Sequence, residues 1–395
     1  MTSKVAFVHS DQLLEDSLNS PTYKNRFFLL HKLLSVYKIY SKLIRIQPIK
    51  LNAATTRAFL MNFHSPDYLT AVEELSLLAD QGEEVQDQAR FEFYGLLYDC
   101  PVYKNMYRFA SNAAQSSILC VDSLLKSKCQ VAINWFGGWH HAHRSASSGY
   151  CYFNDINLSI LRVLNEGKKR VLYVDLDLHH GDGVERAFSK NDSVITVSVH
   201  HYSSGFFPCS GWLTEFDTSA FNIPLKKGAN DADMIKILRP FLQKLHERVP
   251  IDFVIVQCGA DGLSRDPHKI FNLKVSQSPP ESVFLTILEL VFSWTKPVLL
   301  LGGGGYHFAD CARLWTIISN FTCEYFSSKY KPLANDIPDH DLIENYQPDF
   351  DLEVDASITW KNENSPDYFD LIILNIDNHL EAFVNRVTKD QSEIV

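Results

Sequence analysis

Val171-Leu172-Tyr173-Val174-Asp175-Leu176-Asp177-Leu178-His179-His180-Gly181-Asp182-Gly183 carries the pattern that decides the fold. The stretch opens as an apolar run of strand-forming residues and closes in acids, histidines and glycines. An apolar run of that length suits a strand covered on both faces, as in a parallel sheet. Alternate side chains along a strand share a face. With residues 171–178 as the strand, Asp175, Asp177 and His179 should point one way while Leu176 and Leu178 enter the core. Neighbouring acids on a buried strand are costly unless a cation answers them.

Similar runs recur on both sides of this one. Residues 5–8, 131–135, 194–199, 253–257 and 298–301 read as further strands. Residues 25–43, 109–125, 156–165, 232–249, 283–294 and 309–321 carry helical spacing. Strands alternating with helices imply an α/β fold, a mostly parallel sheet wrapped by helices. The length of 395 residues permits one large or two ordinary domains. An acid-rich loop over 336–355 and a helix near 368–387 close the chain. No Gly/Ser/Pro-rich linker precedes them. A single domain over 1–395 is therefore expected, with a motif-bearing core over 5–350 and the segment 336–395 packed on it.

Composition narrows the partners. Hydrophobic residues make up 46% and charged residues 21%, an ordinary globular balance. Lys plus Arg total 37 against 47 Asp plus Glu, a formal net charge of −10. That balance argues against direct nucleic-acid binding, which needs clustered positive charge. It suits a basic partner, such as a lysine-rich peptide, although it also serves solubility alone. The eight cysteines form no C-x-x-C pair and suggest reduced thiols in a reducing compartment. Met1-Thr2-Ser3-Lys4-Val5 lacks the apolar run of a signal peptide, and no stretch suits a bilayer span. The expectation is a protein of the nucleus and/or cytoplasm that is not secreted and does not bind membranes.

Ligands of open parallel sheets bind beyond the carboxyl ends of the strands. Here those ends are loaded. Residues 131–135 run into Phe136-Gly137-Gly138-Trp139-His140-His141. The strand from Phe253 ends in Gln257-Cys258-Gly259-Ala260-Asp261, and that from Val298 in Gly302-Gly303-Gly304-Gly305-Tyr306. Asp177, His179 and Asp261 can share one metal, and two carboxylates with one imidazole leave room for water and substrate. Oxygen and nitrogen donors suit Zn2+, and also Fe2+ or Co2+. The pair His140-His141 would lie over the metal, where a histidine is a natural base for water. Asp175 and Asp182 are the spare acids available to orient the two rings. The glycine run lacks a P-loop pattern and reads as a tight turn that brings Tyr306 to the metal. The Tyr306 hydroxyl could then donate to a developing oxyanion; the alternative is a tyrosine that packs beside the turn. Tyr150 and Phe207 could form a slim apolar slot for a lysine stem, although aromatic side chains are more often core.

Gly137-Gly138-Trp139-His140-His141, Gly149-Tyr150-Cys151-Tyr152-Phe153-Asn154-Asp155, the stretch from Val171 to Gly183, Gly205-Phe206-Phe207-Pro208, Cys258-Gly259-Ala260-Asp261 and Gly302–Tyr306 together resemble the class I zinc-dependent histone deacetylases. The resemblance spans residues from about 5 to about 350. It implies one arginase/deacetylase-like α/β domain with a central eight-stranded parallel sheet and helices on both faces. It also implies hydrolysis of N6-acetyl-lysine in histones or other proteins at a divalent metal, usually zinc, at the foot of a narrow tunnel.

Residue by residue, the resemblance makes Asp177, His179 and Asp261 the metal ligands. His141 becomes the general base and acid, His140 its electrostatic partner, and Asp175 and Asp182 their orienting carboxylates. Tyr306 becomes the oxyanion donor. Gly149, Tyr150, Phe207 and Gly304 become substrate-binding positions, as does the rim acid Asp99. Arg26 matches an arginine beneath the pocket. A potassium ion is implied at Asp175, Asp177, His179, Ser198 and Val199. The chain departs from the family at Tyr150, which is more often Phe, and at His268, a substrate-binding position where many relatives have Leu or Met. Loops near 210–220 and 277–281 look short or altered. Basic residues that gather inositol phosphates and corepressors are not evident, so no obligate corepressor is expected. An acetylpolyamine or longer-acyl amide hydrolase of the same fold, and a non-catalytic acetyl-lysine-binding scaffold, stand as alternatives.

Overall fold

The computed structural model describes residues 4–215, 218–327, 330–356 and 360–392. Eight strands build one all-parallel sheet: β1 Val5–Val8, β2 Ile44–Ile46, β3 Val131–Asn134, β4 Val171–Asp175, β5 Val194–His201, β6 Ala220–Leu225, β7 Phe253–Gln257 and β8 Val298–Leu301. Their order is β2-β1-β3-β8-β7-β4-β5-β6. Every residue of β1 and of β3 to β8 is buried, which requires cover on both faces. The Val, Ile and Leu that fill these strands meet that requirement, because branched side chains pack well on a pleated surface. β3, β8, β7 and β4 are consecutive neighbours, so the loops that follow them emerge side by side on one rim.

Two indoles brace that rim. Trp135, just after β3, stacks on Trp315 of the helix Phe308–Tyr325, with ring centroids 5.1 Å apart. Trp135 Nε1 donates to Ser319 Oγ at 3.0 Å, and Trp315 Nε1 donates to the Cys258 carbonyl at 2.9 Å. The ends of β3 and β7 are thereby tied to one helix, and a stacked pair of this kind is worth about 0.5–1.5 kcal/mol beyond its burial.

The strand reading needs correction at β2, β6 and β4, while β3 ends one residue early at Asn134 and β5 runs on to His201. β2 and β6 lie at the two edges and were not expected as strands. β2 has three residues, and β6 carries Pro224, which sheets tolerate at an edge. β4 stops at Asp175 rather than at 178. Asp175 Oδ1 accepts the Asp177 N–H at 3.1 Å, and Asp177 Oδ1 accepts the His179 N–H at 3.0 Å. Short acidic side chains thus capture backbone donors that a ladder would otherwise use. Leu176 and Leu178 are buried as expected, but the three polar residues divide: Asp177 and His179 converge, while Asp175 turns to Tyr173 and His140.

The helix expected over 25–43 runs only from Arg26 to Val36. Lys38 takes a left-handed φ of 59°, and a 3-10 turn, Ile39–Lys42, follows before β2. Near the chain's end, the helix Pro366–Ser392 lies against β6, where Tyr368 Oη donates to the Pro224 carbonyl at 2.8 Å. The acid-rich loop is anchored by Arg313, which donates to the Asp351 and Tyr346 carbonyls. Among the described residues no helix is long and apolar enough to cross a membrane.

Candidate metal centre and active site

Asp177 and His179 leave the end of β4, and Asp261 leaves the neighbouring β7. One donor atom from each of these buried residues lies within 4.8 Å of the other two. His179 Nδ1 is 2.9 Å from Asp261 Oδ2 and 3.3 Å from Asp177 Oδ1. Burial and the charge of Asp177 together raise the Asp261 carboxyl to about 6. Two carboxylates forced together out of water are the donor set that a divalent cation stabilises, and with one imidazole they leave coordination positions open. The residues therefore fit a catalytic metal.

The supporting groups are equally defined. Gln257 Nε2 donates to Asp177 Oδ2 at 2.7 Å, as does the Gly304 N–H at 2.9 Å. The Leu178 N–H donates to Asp261 Oδ1 at 2.9 Å. The His179 ring stacks on Phe206 with centroids 5.1 Å apart. Such outer contacts hold ligands in place before a metal binds. Gly303 explains the glycine run. Its φ is 145°, and a Cβ there would stand 2.0 Å from Gln257 Nε2 and 2.9 Å from Asp177 Oδ2. A side chain at this position would displace the amide that steadies a ligand.

The loop after β3 carries His140 and His141 to the same place. Asp155, in the first turn of the helix Asp155–Asn165, accepts the backbone N–H groups of Gly138 and Trp139 and the hydroxyl of Ser117. Each histidine then has its own carboxylate. His140 Nδ1 is 2.8 Å from Asp175 Oδ2, and His141 Nδ1 is 2.8 Å from Asp182 Oδ1. Their environments differ. Burial pushes His140 down, but the charges of Asp175 and Asp177 outweigh it and raise the ring to about 9. Burial and the neighbouring His140 lower His141 to about 3 against the pull of Asp182. Burial opposes ionisation of Asp182, yet its contacts with His141 and His143 hold it well below the usual carboxylate range. The two rings are thus pushed in opposite directions, and Asp182 engages Nδ1 of His141, which leaves Nε2 as the nitrogen open to the site.

Tyr306 follows the glycine turn and is half-buried. Its backbone N–H donates to Asp266 Oδ2 at 2.7 Å. Its ring lies 5.8 Å from Tyr150 and 5.2 Å from His268, edge-on to the first. Phe207, 37% exposed, sets its edge against His141 at 4.8 Å. The two expected slot aromatics therefore border different groups, Tyr150 against Tyr306 and Phe207 against His141. Gly149 has φ 53°, and a Cβ there would stand 2.4 Å from His141 Cδ2. Its N–H donates to Asp99 Oδ2 at 2.6 Å, so Asp99 stands beside Gly149. Arg26 donates to the Gly303 and Gly305 carbonyls at 3.0 and 3.1 Å, beneath the turn. Asp175 and Ser198 face each other across the β4–β5 ladder, with Val199 next on β5.

His268 lies in the turn after Asp261, and its half-buried ring faces the site. Its ring lies 4.9 Å from that of His179, and its Nδ1 is 2.8 Å from Asp266 Oδ1. Asp266 is one of three residues that sequence reasoning missed. Fully buried, it ties His268 to the Tyr306 backbone. Gln257 is the second, and the signal was present: it is the one polar residue in the otherwise apolar β7. Asp155 is the third; it closes the motif that begins at Gly149 and stands just before the helix expected from 156, but neither position tells what it holds.

A family model described as the histone deacetylase domain matches residues 20–321. The chain is 34% identical to the histone deacetylase 8 of Danio rerio over 97% of this chain and 97% of that protein. It is 38% identical to the histone deacetylase 8 of Xenopus laevis over 75% of this chain and 87% of that one. The histone deacetylase 9 of Arabidopsis thaliana is 33% identical over 95% of this chain and 84% of its own length.

Proposed function

The chain belongs to the histone deacetylase family, and from that premise we propose a division of labour among its residues. The activity is hydrolytic deacetylation of lysine side chains by a metal-dependent enzyme. The family match favours this over the acetylpolyamine, longer-acyl and non-catalytic readings. The observation that carries the assignment of residues is the convergence of the Asp177, His179 and Asp261 donors beside two histidines, each backed by its own carboxylate.

Asp177, His179 and Asp261 hold the metal, which we take to be zinc; bound there, it would polarise the acetyl carbonyl and make water more acidic. His141 Nε2 accepts the proton of the attacking water. Asp182 keeps His141 in the tautomer that leaves Nε2 free and stabilises the imidazolium that forms. His140, already cationic, contributes positive charge instead of a second base. The Tyr306 hydroxyl donates to the oxyanion that develops on the carbonyl oxygen. As the C–N bond breaks, His141 returns its proton to the leaving amine, and acetate and free lysine result. Gly149, Gly304, Tyr150 and Phe207 line the lysine stem, and Asp99 holds the substrate backbone at the rim. Arg26 supports the glycine turn from below. Potassium lies at Asp175, Asp177, His179, Ser198 and Val199. The substrates are acetylated histones or other proteins of the nucleus and/or cytoplasm, with no corepressor, nucleic acid or membrane required.

Two substitutions test parts of this reading. Tyr306→Phe removes one hydroxyl and keeps the ring. Turnover of an acetyl-lysine peptide should fall about 10²–10³-fold, the usual loss for an oxyanion donor, with metal content normal. Near-native turnover would remove Tyr306 from the chemistry. His268→Met tests the wall. Because Nδ1 is engaged by Asp266, Nε2 is the nitrogen open to a ligand. Core chemistry on a small acetyl-lysine substrate should survive. The ranking of larger peptides and of inhibitors with polar linkers should shift by about tenfold or less, the net worth of one hydrogen bond. Parallel kcat/KM and Kd values for both proteins across the panel would show that His268 does not touch the ligand.

A further inference from the structure

Asp182 faces two histidines. Oδ1 lies 2.8 Å from His141 Nδ1, and Oδ2 lies 3.3 Å from His143 Nε2. Asp182 is buried, whereas the His143 side chain is 26% exposed, so a path of polar contact runs from the active-site ring through a buried carboxylate to the surface. The outer ring is not loosely placed. The His143 N–H donates to the Ala146 carbonyl at 2.8 Å, and the two residues form an isolated bridge that fixes the turn.

His143 opens into a surface groove that Phe63, Arg144, Leu161 and Arg186 also line. The charged and titratable groups around it are few in kind. The helix Asp182–Ala187 presents Asp182 and Arg186, and the ring's own loop presents Arg144. The turn before Ser65 presents His64, which burial lowers to about 3 and so keeps uncharged. The helix Asp155–Asn165 presents the apolar Leu161. His143 therefore sits between one buried carboxylate and a groove of positive sign.

We propose that His143 is a positioning residue for the deacetylation, holding the outer oxygen of Asp182 and setting how strongly that carboxylate supports His141. The inference rests on the reading of His141 as proton acceptor and Asp182 as its orienting group. A neutral donor at position 143 pins the carboxylate and leaves its charge available to His141. A cation there draws part of that charge outward, so the carboxylate supports His141 less. The groove thereby reaches the base without touching substrate.

The test is kcat and KM at a single pH on an acetyl-lysine peptide for the metal-loaded full chain and its His143→Ala, His143→Gln and His143→Lys variants. His143→Ala removes the 3.3 Å contact to Asp182 Oδ2 and should lower kcat by up to about tenfold, with KM and metal content unchanged. His143→Gln keeps a neutral donor and should recover most of that loss. His143→Lys supplies a fixed cation and should stay about threefold or more below His143→Gln in kcat. A packing role alone would lower the melting temperature and leave kcat equal in the Gln and Lys variants. Equal kcat in all the proteins, or a loss in His143→Ala that His143→Gln does not recover, would overturn the proposal. Asp182→Asn separates the two levels. Full activity in that variant would contradict the His141–Asp182 reading itself, whereas loss of activity there beside unaltered His143 variants would contradict only this inference.

Discussion

His141→Ala should abolish nearly all turnover, by about 10²–10⁴-fold, while the metal stays bound. The expectation follows from the unequal surroundings of the two adjacent rings. His141 is held neutral by burial and by the charge of His140, and its Nδ1–H is committed to Asp182. Nε2 is therefore a free acceptor for a proton. His140 lies between the carboxylates of Asp175, at 2.8 Å from Nδ1, and Asp177, at 3.7 Å from Nε2. Those charges favour its protonated form, so it is the poorer proton acceptor of the two. His140→Ala should still be damaging, because a positive charge beside the developing oxyanion is lost, but the loss should be smaller. Single-turnover rates with metal analysis of both variants measure the ranking. A larger defect in His140→Ala than in His141→Ala would mean that the two roles are exchanged.

Asp261→Asn should lower metal affinity and activity together. The substitution is nearly isosteric, and the amide oxygen can still accept the Leu178 N–H that Asp261 Oδ1 now accepts. The loop after β7 should therefore keep its course. What is lost is one of two negative charges in a three-donor site, and the new NH2 group faces His179 instead of a cation. Removing contacts outside the ligand set of a metal commonly costs about 10–100-fold in affinity, and loss of a ligand charge should exceed that. Zinc retention against a competing chelator, followed beside acetate release, is the measurement. If Asp261→Asn kept both its metal and its rate, Asp261 would be no part of the site.

Much of this arrangement was readable before any coordinates, for identifiable reasons. β4, β7 and β8 are continuous apolar runs that break abruptly into Asp, His and Gly, and a parallel sheet delivers such breaks to one rim. That is why Asp177, His179, Asp261, His141 and Tyr306 could be named from their positions after strands. The departures have local causes. Residues 176–178 read as strand because hydropathy alternates there, but the backbone donors of Asp177 and His179 go to acidic side chains instead of a ladder. β2 and β6 are edge strands, short in one case and interrupted by Pro224 in the other, so neither carries the signal of a fully buried strand. The helix break after Val36 comes at Tyr37-Lys38, with no glycine or proline to announce it. Asp266, Asp155 and His143 act through hydrogen bonds or charge contacts to residues well removed along the chain, such as the 40 positions between Asp266 and Tyr306, and local pattern contains no trace of such partners.

One metal held by Asp177, His179 and Asp261 should be required for release of acetate from acetyl-lysine. Protein stripped of metal and titrated with Zn2+ tests it most directly, with bound metal and acetate release from an acetyl-lysine peptide measured on the same samples. Activity should be absent without metal, should rise in proportion to bound zinc and should reach its plateau at one ion per chain. Acetate release at an undiminished rate from the stripped protein, or one bound zinc ion per chain with no release at all, would contradict it.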